Sequence, residues 1–163
     1  MTSATFASSL RALYLRNNDA NSKSLAPLGR GAERFEALET LMVSSNALTP
    51  KSIEVLSAAT LLEGLRALYL DGNRLGDEGV KKLLKLNDLS GLRKLVLSNN
   101  DIGARGVRAL AKCEQLCGLE AFELDPHTLS RAALKILACS PHLRELMRVN
   151  RRDPLIDEMT LNP

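Results

Sequence analysis

The chain has 163 residues, of which 45% are apolar but only 3% aromatic, and its formal net charge is +3. This mild basic excess is spread along the sequence, which argues against the clustered basic patch that nucleic-acid binding needs. No apolar run approaches the roughly 20 residues of a membrane-spanning helix. Three cysteines in no framework pattern favour a reducing compartment, so we expect a cytoplasmic protein.

The N-terminal segment allows two interpretations. It contains Ser and Arg but no acidic residue before Asp19, as in an organelle transit peptide. However, Leu10, Leu13, Leu15 and Asn18 fit the phrase L-x-x-L-x-L-x-x-N, which recurs throughout the chain. We therefore favour a structural repeat here.

The phrase starts at Leu10, Leu38, Leu65, Leu92 and Leu119, at intervals of 28, 27, 27 and 27 residues. Such a period is typical of units that bury their apolar sides only by stacking on one another.

The unit that starts at Leu65 illustrates the secondary structure within one repeat. LRALYL alternates between apolar and other residues, which predicts a strand with one buried face. DGN predicts a turn. GDEGVKKLLKL, residues 76–86, predicts a helix with acidic residues in its first turn and one apolar stripe. An apolar residue closes each of the first four units, whereas we place Ser140 at the closing position of the fifth.

The repeat phrases also carry a family resemblance. LRALYLDGNRLGDEGVKKLL and LRKLVLSNNDIGARGVRALA resemble leucine-rich repeats of the ribonuclease-inhibitor-like type, and the resemblance covers roughly residues 10–146. It implies an α/β fold: a right-handed solenoid of about five to six repeats, with parallel strands on the concave side and helices on the convex side. We call these surfaces the strand face and the helix face. The chain lacks the Cys-type units of vertebrate ribonuclease inhibitors and is far shorter, so it cannot enclose a partner as they do.

We expect a single domain over residues 1–163, with repeats starting near 10, 38, 65, 92 and 119 and a degenerate one near 143. Residues 147–163 are predicted to form a C-terminal cap or tail, because a solenoid needs its terminal layers covered. At the other end, Phe6 is the one bulky residue before the first strand. The N-terminal edge could therefore self-associate, follow a missing upstream segment, or be covered by Phe6 itself.

Asparagine recurs at position nine of the phrase, at Asn18, Asn46, Asn73 and Asn100, and His127 takes that position in the fifth unit. An amide that points into an apolar layer must find hydrogen bonds, and stacked amides can bond the backbone of their own and adjacent turns. We therefore predict that these asparagines stabilise the fold and do not form a binding site. We also predict that His127 takes the place of asparagine in the turn of the fifth unit.

The strand face contains the candidate binding residues. Alternation places Tyr14, Met42, Tyr69 and Val96 outward in one column, and tyrosine is favoured at interfaces. The alternative is that these side chains only satisfy strand propensity. We predict that a protein partner binds the strand face at Tyr14, Arg16, Met42, Tyr69, Asp71, Val96 and Glu123.

The helix face presents a column of Glu54, Lys81, Arg108 and Lys135, with further lysines and arginines nearby. It could bind an anionic partner, but a solvated helix surface is the commoner explanation of such a charge run, and we favour it.

The sequence offers no residues arranged for catalysis, and we predict no catalytic residues, no metal site and no cofactor. The family resemblance implies protein recognition without catalysis. We therefore predict a non-enzymatic protein–protein interaction module that binds neither nucleic acid nor membrane. The alternatives are a regulator of a signalling enzyme such as a GTPase, or an inhibitor-type binder.

Overall fold

A computed structural model describes residues 9–30, 35–58, 61–125, 129–140 and 142–143. Five short strands form one parallel sheet in chain order: β1 (Ala12–Tyr14), β2 (Thr40–Met42), β3 (Ala67–Tyr69), β4 (Lys94–Val96) and β5 (Ala121–Glu123). They alternate with helices α1 (Ser22–Arg30), α2 (Pro50–Ser57), α3 (Gly76–Leu86), α4 (Ala104–Ala111) and α5 (Arg131–Ala138), and a 3-10 helix spans Glu114–Gly118. Consecutive helices pack side by side, so sheet and helices form two layers. The predicted α/β solenoid is confirmed.

In β2, β3 and β5 a buried central residue lies between two half-buried ones, as predicted, whereas β4 departs from this pattern at Val96. The central residues Leu41, Leu68 and Leu95 are fully buried and stand in register on adjacent strands. Phe122 continues this row on β5. Because the register does not shift between strands, every column of the repeat phrase becomes a straight row across the sheet.

The turn after each of the first four strands has a left-handed residue at the same column of the repeat, namely Asn17, Ser45, Gly72 and Asn99, with φ of 56°, 53°, 66° and 54°. In the first three of these turns, that residue's N–H donates to a backbone carbonyl of the next repeat, for example Ser45 to Asp71 at 2.7 Å. Asn and Gly tolerate this conformation, which explains their frequency in this column.

The asparagines form the ladder that the sequence predicts. Asn73 Nδ2 donates to Leu70 O of its own repeat at 2.7 Å and to Val43 O of the preceding repeat at 3.1 Å. Its Oδ1 accepts from Leu48 N at 3.1 Å. Asn46 and Asn100 bond their own and the preceding turns in the same way. These amide hydrogen bonds join adjacent repeats. Because they use the side-chain donors and acceptors, few polar groups of these asparagines remain to bind a ligand.

Helix α5 starts at a capping serine, since the Ser130 side chain accepts a hydrogen bond from Ala133 N. Helix α3 has the predicted bounds, with Asp77 and Glu78 in its first turn. Asp77 also acts on the next repeat: its Oδ1 accepts from the N-cap residue of α4, Gly103 N at 2.7 Å, and from Gly106 N in the first turn of that helix at 2.8 Å. One carboxylate therefore caps the helix of the following unit, which the sequence analysis did not anticipate.

The end of the fifth unit corrects one expectation. Leu143, 27 residues after Leu116, is fully buried in the core, so it and not Ser140 occupies the closing position. Ser140 is also buried, and its hydroxyl donates to Ala111 O at 3.1 Å and accepts from Leu143 N at 3.3 Å. The N-terminal segment with Phe6, His127 and the predicted cap 147–163 lie outside the described residues. The domain division stays a prediction.

Candidate strand-face binding site

The outward residues between the two buried columns form one straight row. Tyr14, Met42, Tyr69, Val96 and Glu123 pair directly with one another from β1 to β5. Neighbouring parallel strands lie about 4.8 Å apart, so this row crosses the sheet in even steps of that size. The structure thus brings five of the predicted site residues into a single line.

The exposed apolar part of this row lies at the β1 side. Tyr14 has the greatest exposure, at 64%, and is one of two large hydrophobic residues classed as exposed within the described ranges; Leu86 on α3, at 44%, is the other. Met42 and Tyr69 are half-buried beside it. Ala12 and Ala67, the outward residues two positions earlier, are too small to cover the rings. Together, Tyr14, Met42 and Tyr69 form what we call the aromatic strip.

The prediction that Val96 is exposed is wrong, since its side chain is only 5% accessible. Its direct neighbours in the row are Tyr69 on β3 and Glu123 on β5. The Lys94 ammonium lies 5.2 Å from the centroid of the Tyr69 ring and 3.0 Å from Glu123 Oε1. One ammonium therefore contacts both neighbours of Val96 in the row, and we attribute the burial of Val96 to these three side chains. The aromatic strip therefore ends at Tyr69.

Lys94 is a further strand-face residue of the site, which was not among the residues predicted from the sequence. Its hydrogen bond to Glu123 raises the pKa of the ammonium, and the negative charge of Glu123 and the interaction with Tyr69 add to this while partial burial opposes it. A cation over an aromatic face is itself attractive. The position of Lys94 in the sequence could have identified it. It is the one charged residue in a column of Ala and Thr, and it lies diagonal to the acidic Glu123 on the next strand.

The column two residues further along is more polar. Arg16 is exposed at the end of β1. Ser44 is buried and its hydroxyl donates to Asp71 Oδ1 at 2.5 Å. Asp71 and Glu123, both predicted to bind a partner, therefore already have partners within the sheet. Arg16 and Tyr14, at the exposed end of the aromatic strip, are the most accessible part of the predicted set.

Within the residues that the structure describes, no group of three or more His, Cys, Asp or Glu side chains could hold a metal ion. Partial burial raises the pKa of the Cys113 thiol, which disfavours the reactive thiolate. In the same part of the chain, no helix is both long and apolar enough to span a bilayer.

Comparison with known proteins agrees with this architecture. The family model described as Leucine Rich repeat matches residues 65–84 and 92–111, which are the two phrases that carried the resemblance. No curated protein matches the chain. Among solved structures, the chain resembles the tropomodulin C-terminal domain of Caenorhabditis elegans, with a TM-score of 0.63 and 16% sequence identity, over 92% of this chain and 98% of that one. At that identity the likeness shows the fold alone.

Two of its repeats, residues 65–84 and 92–111, therefore belong to the leucine-rich-repeat class. Domains of this class generally mediate protein–protein interaction and are typically non-catalytic.

Proposed function

We propose that this protein is a non-catalytic, cytoplasmic interaction module that binds a protein partner on its strand face through the aromatic strip. The observation that supports this proposal most strongly is the exposure of the Tyr14 ring. A ring that is 64% exposed, in line with Met42 and Tyr69 and flanked by alanine, is arranged as a contact surface. Tyrosine supplies large contact area at little cost in conformational entropy, and it is enriched among residues that dominate binding energy.

The polar surroundings of the strip define how a partner would fit. Arg16 follows Tyr14 by two residues, just beyond the end of β1, and the Lys94–Glu123 pair closes the row at the other end. An apolar centre with charged residues at its margin is the usual anatomy of a protein interface. Five strands at about 4.8 Å spacing span roughly 20 Å between the outer strands, which suits one interface of standard size. A regulator of a signalling enzyme or an inhibitor would use the same surface.

The test is affinity capture of proteins from the native source, compared quantitatively among three forms of the full chain. Tyr14→Ser/Met42→Ser removes the exposed end of the strip. Leu86→Ser is the matched control, because it removes a large exposed hydrophobic residue from the helix layer. We expect the partner to be captured by the unaltered chain and by Leu86→Ser, and to be lost at least tenfold with the double variant.

Unchanged circular dichroism would show that the double variant still folds, since neither side chain belongs to the buried core. Equal capture by all three forms would refute the proposed binding surface.

A further inference from the structure

A groove lies between the last two described helices, α4 and α5. Its volume is about 480 Å³, and its lining includes the apolar side chains of Ala111 and Ile136 together with the Cys139 side chain. Pockets that accept small molecules are roughly 300–1,000 Å³, so this groove holds a few side chains of a peptide but not a folded domain. Three cations, Arg108, Lys112 and Lys135, also line it.

The positive charge of this groove is not neutralised by acidic residues on the two helices that form it. On the two preceding helices, Lys81 pairs with Glu78 at 2.7 Å, and Lys82 pairs with Glu54 across the α2–α3 contact. Helices α4 and α5, by contrast, have the sequences ARGVRALA and RAALKILA, without an acidic residue. None of the three groove cations forms an ion pair within the described part of the chain. An acidic and partly apolar peptide is the chemistry that this groove would recognise.

The chain itself contains such a sequence beyond Leu143, the last residue that the structure describes. Residues 153–161 read DPLIDEMTL and contain three carboxylates and four large apolar side chains. We propose that this segment, which we call the acidic segment, binds in the α4–α5 groove, with its carboxylates at the three groove cations and its apolar side chains against Ala111 and Ile136. This would cover the helix face of the last units, and it is independent of the strand-face proposal.

Chain length permits this contact. Asp153 lies ten positions after Leu143, and ten residue steps can extend at most about 33–36 Å, whereas an eight-residue helix is about 12 Å long. Cys139, which lines the groove, precedes Leu143 by only four residues. A covalent tether of this length raises the effective local concentration to the order of millimolar, so moderate complementarity is enough to keep the groove occupied.

The experiment uses the Cys139 thiol as a reporter in the full chain. Its alkylation rate with iodoacetamide is measured by peptide mass spectrometry, and the exposed Cys117 serves as the internal reference. Asp157→Lys/Glu158→Lys should release the acidic segment and increase the Cys139 rate at least threefold relative to Cys117. Lys112→Glu should do the same. Lys85→Glu, at the equivalent position one repeat earlier and outside the groove, should leave the ratio unchanged.

A second measurement tests the contact directly. Met159→Cys should form a disulfide with Cys139 under mild oxidation, and the yield should fall when Asp157→Lys/Glu158→Lys is added. Equal Cys139 rates in the unaltered chain and in all of the charge variants would overturn the proposal, as would a preference of the new thiol for Cys117. Protection of Cys139 that increases with protein concentration would replace it with a contact between copies.

Discussion

The asparagine ladder makes a quantitative prediction about Asn73. In the Asn73→Ala variant, the two nearest carbonyl acceptors keep one amide donor each: Val43 O still accepts from Asn46 Nδ2, and Leu70 O still accepts from Asn100 Nδ2. The Leu48 N–H loses its partner, Asn73 Oδ1, and it is buried. A buried donor left unsatisfied costs about 1–3 kcal/mol, so we expect the free energy of unfolding to fall by about 2–3 kcal/mol once the shared bonds are included.

Asn18→Ala is the matched control for this prediction. Asn18 is exposed, and its side-chain amide donates to Arg16 O alone in the described structure. Its loss should cost less than about 1 kcal/mol. Equilibrium urea unfolding, followed by circular dichroism, measures both values. Equal losses for Asn73→Ala and Asn18→Ala would refute the reasoning that the shared amide bonds stabilise the stack.

The double variant Asn73→Ala/Asn100→Ala tests the sharing itself. It removes both amide donors of Leu70 O, whereas each single variant leaves one. We therefore expect the double loss to exceed the sum of the single losses by about 1 kcal/mol, within the range usual for residues of one network. Simple additivity would show that the carbonyl finds another donor.

Three further variants test other parts of the fold. Asp77→Ala should cost about 1–2 kcal/mol in urea unfolding because it uncaps α4, whereas the exposed Glu78→Ala should cost far less. The raised pKa of Lys94 means that its pairing stabilises the fold fully below the ordinary lysine pKa. That contribution is lost as pH rises through the folded-state pKa, so the stability difference between the unaltered chain and Lys94→Met should shrink above about pH 10.5; a pH-independent difference would contradict this. Leu68→Asp places an unpaired charge in the buried row, so we expect this variant not to fold. Its circular dichroism spectrum should lack the signal of the folded repeats.

The regular columns of this protein could be predicted from its sequence because a repeat constrains each position several times. The buried leucines, the asparagine ladder and the bounds of α3 all follow from period and alternation. A backbone without register shifts then converts each sequence column into a spatial row.

The residues that break the pattern could not be predicted in this way. Val96 belongs to an outward column, but its exposure depends on where the long Lys94 side chain lies, which alternation does not specify. The capping role of Asp77 likewise depends on the spacing between two helices of different repeats. Leu143 was recoverable from the 27-residue interval alone, because the interval from Leu116 leads to it and not to Ser140.

Site-specific photocrosslinking tests the central claim, that the strand face binds the partner, most directly. A benzoylphenylalanine residue replaces Tyr14 in one form of the chain and Leu86 in another, so that the crosslinker lies at the aromatic strip or on α3. Irradiation in an extract of the native source should give a specific partner adduct from position 14 and none from position 86. An adduct from position 86 alone would place the partner on the helix layer and contradict the strand-face account.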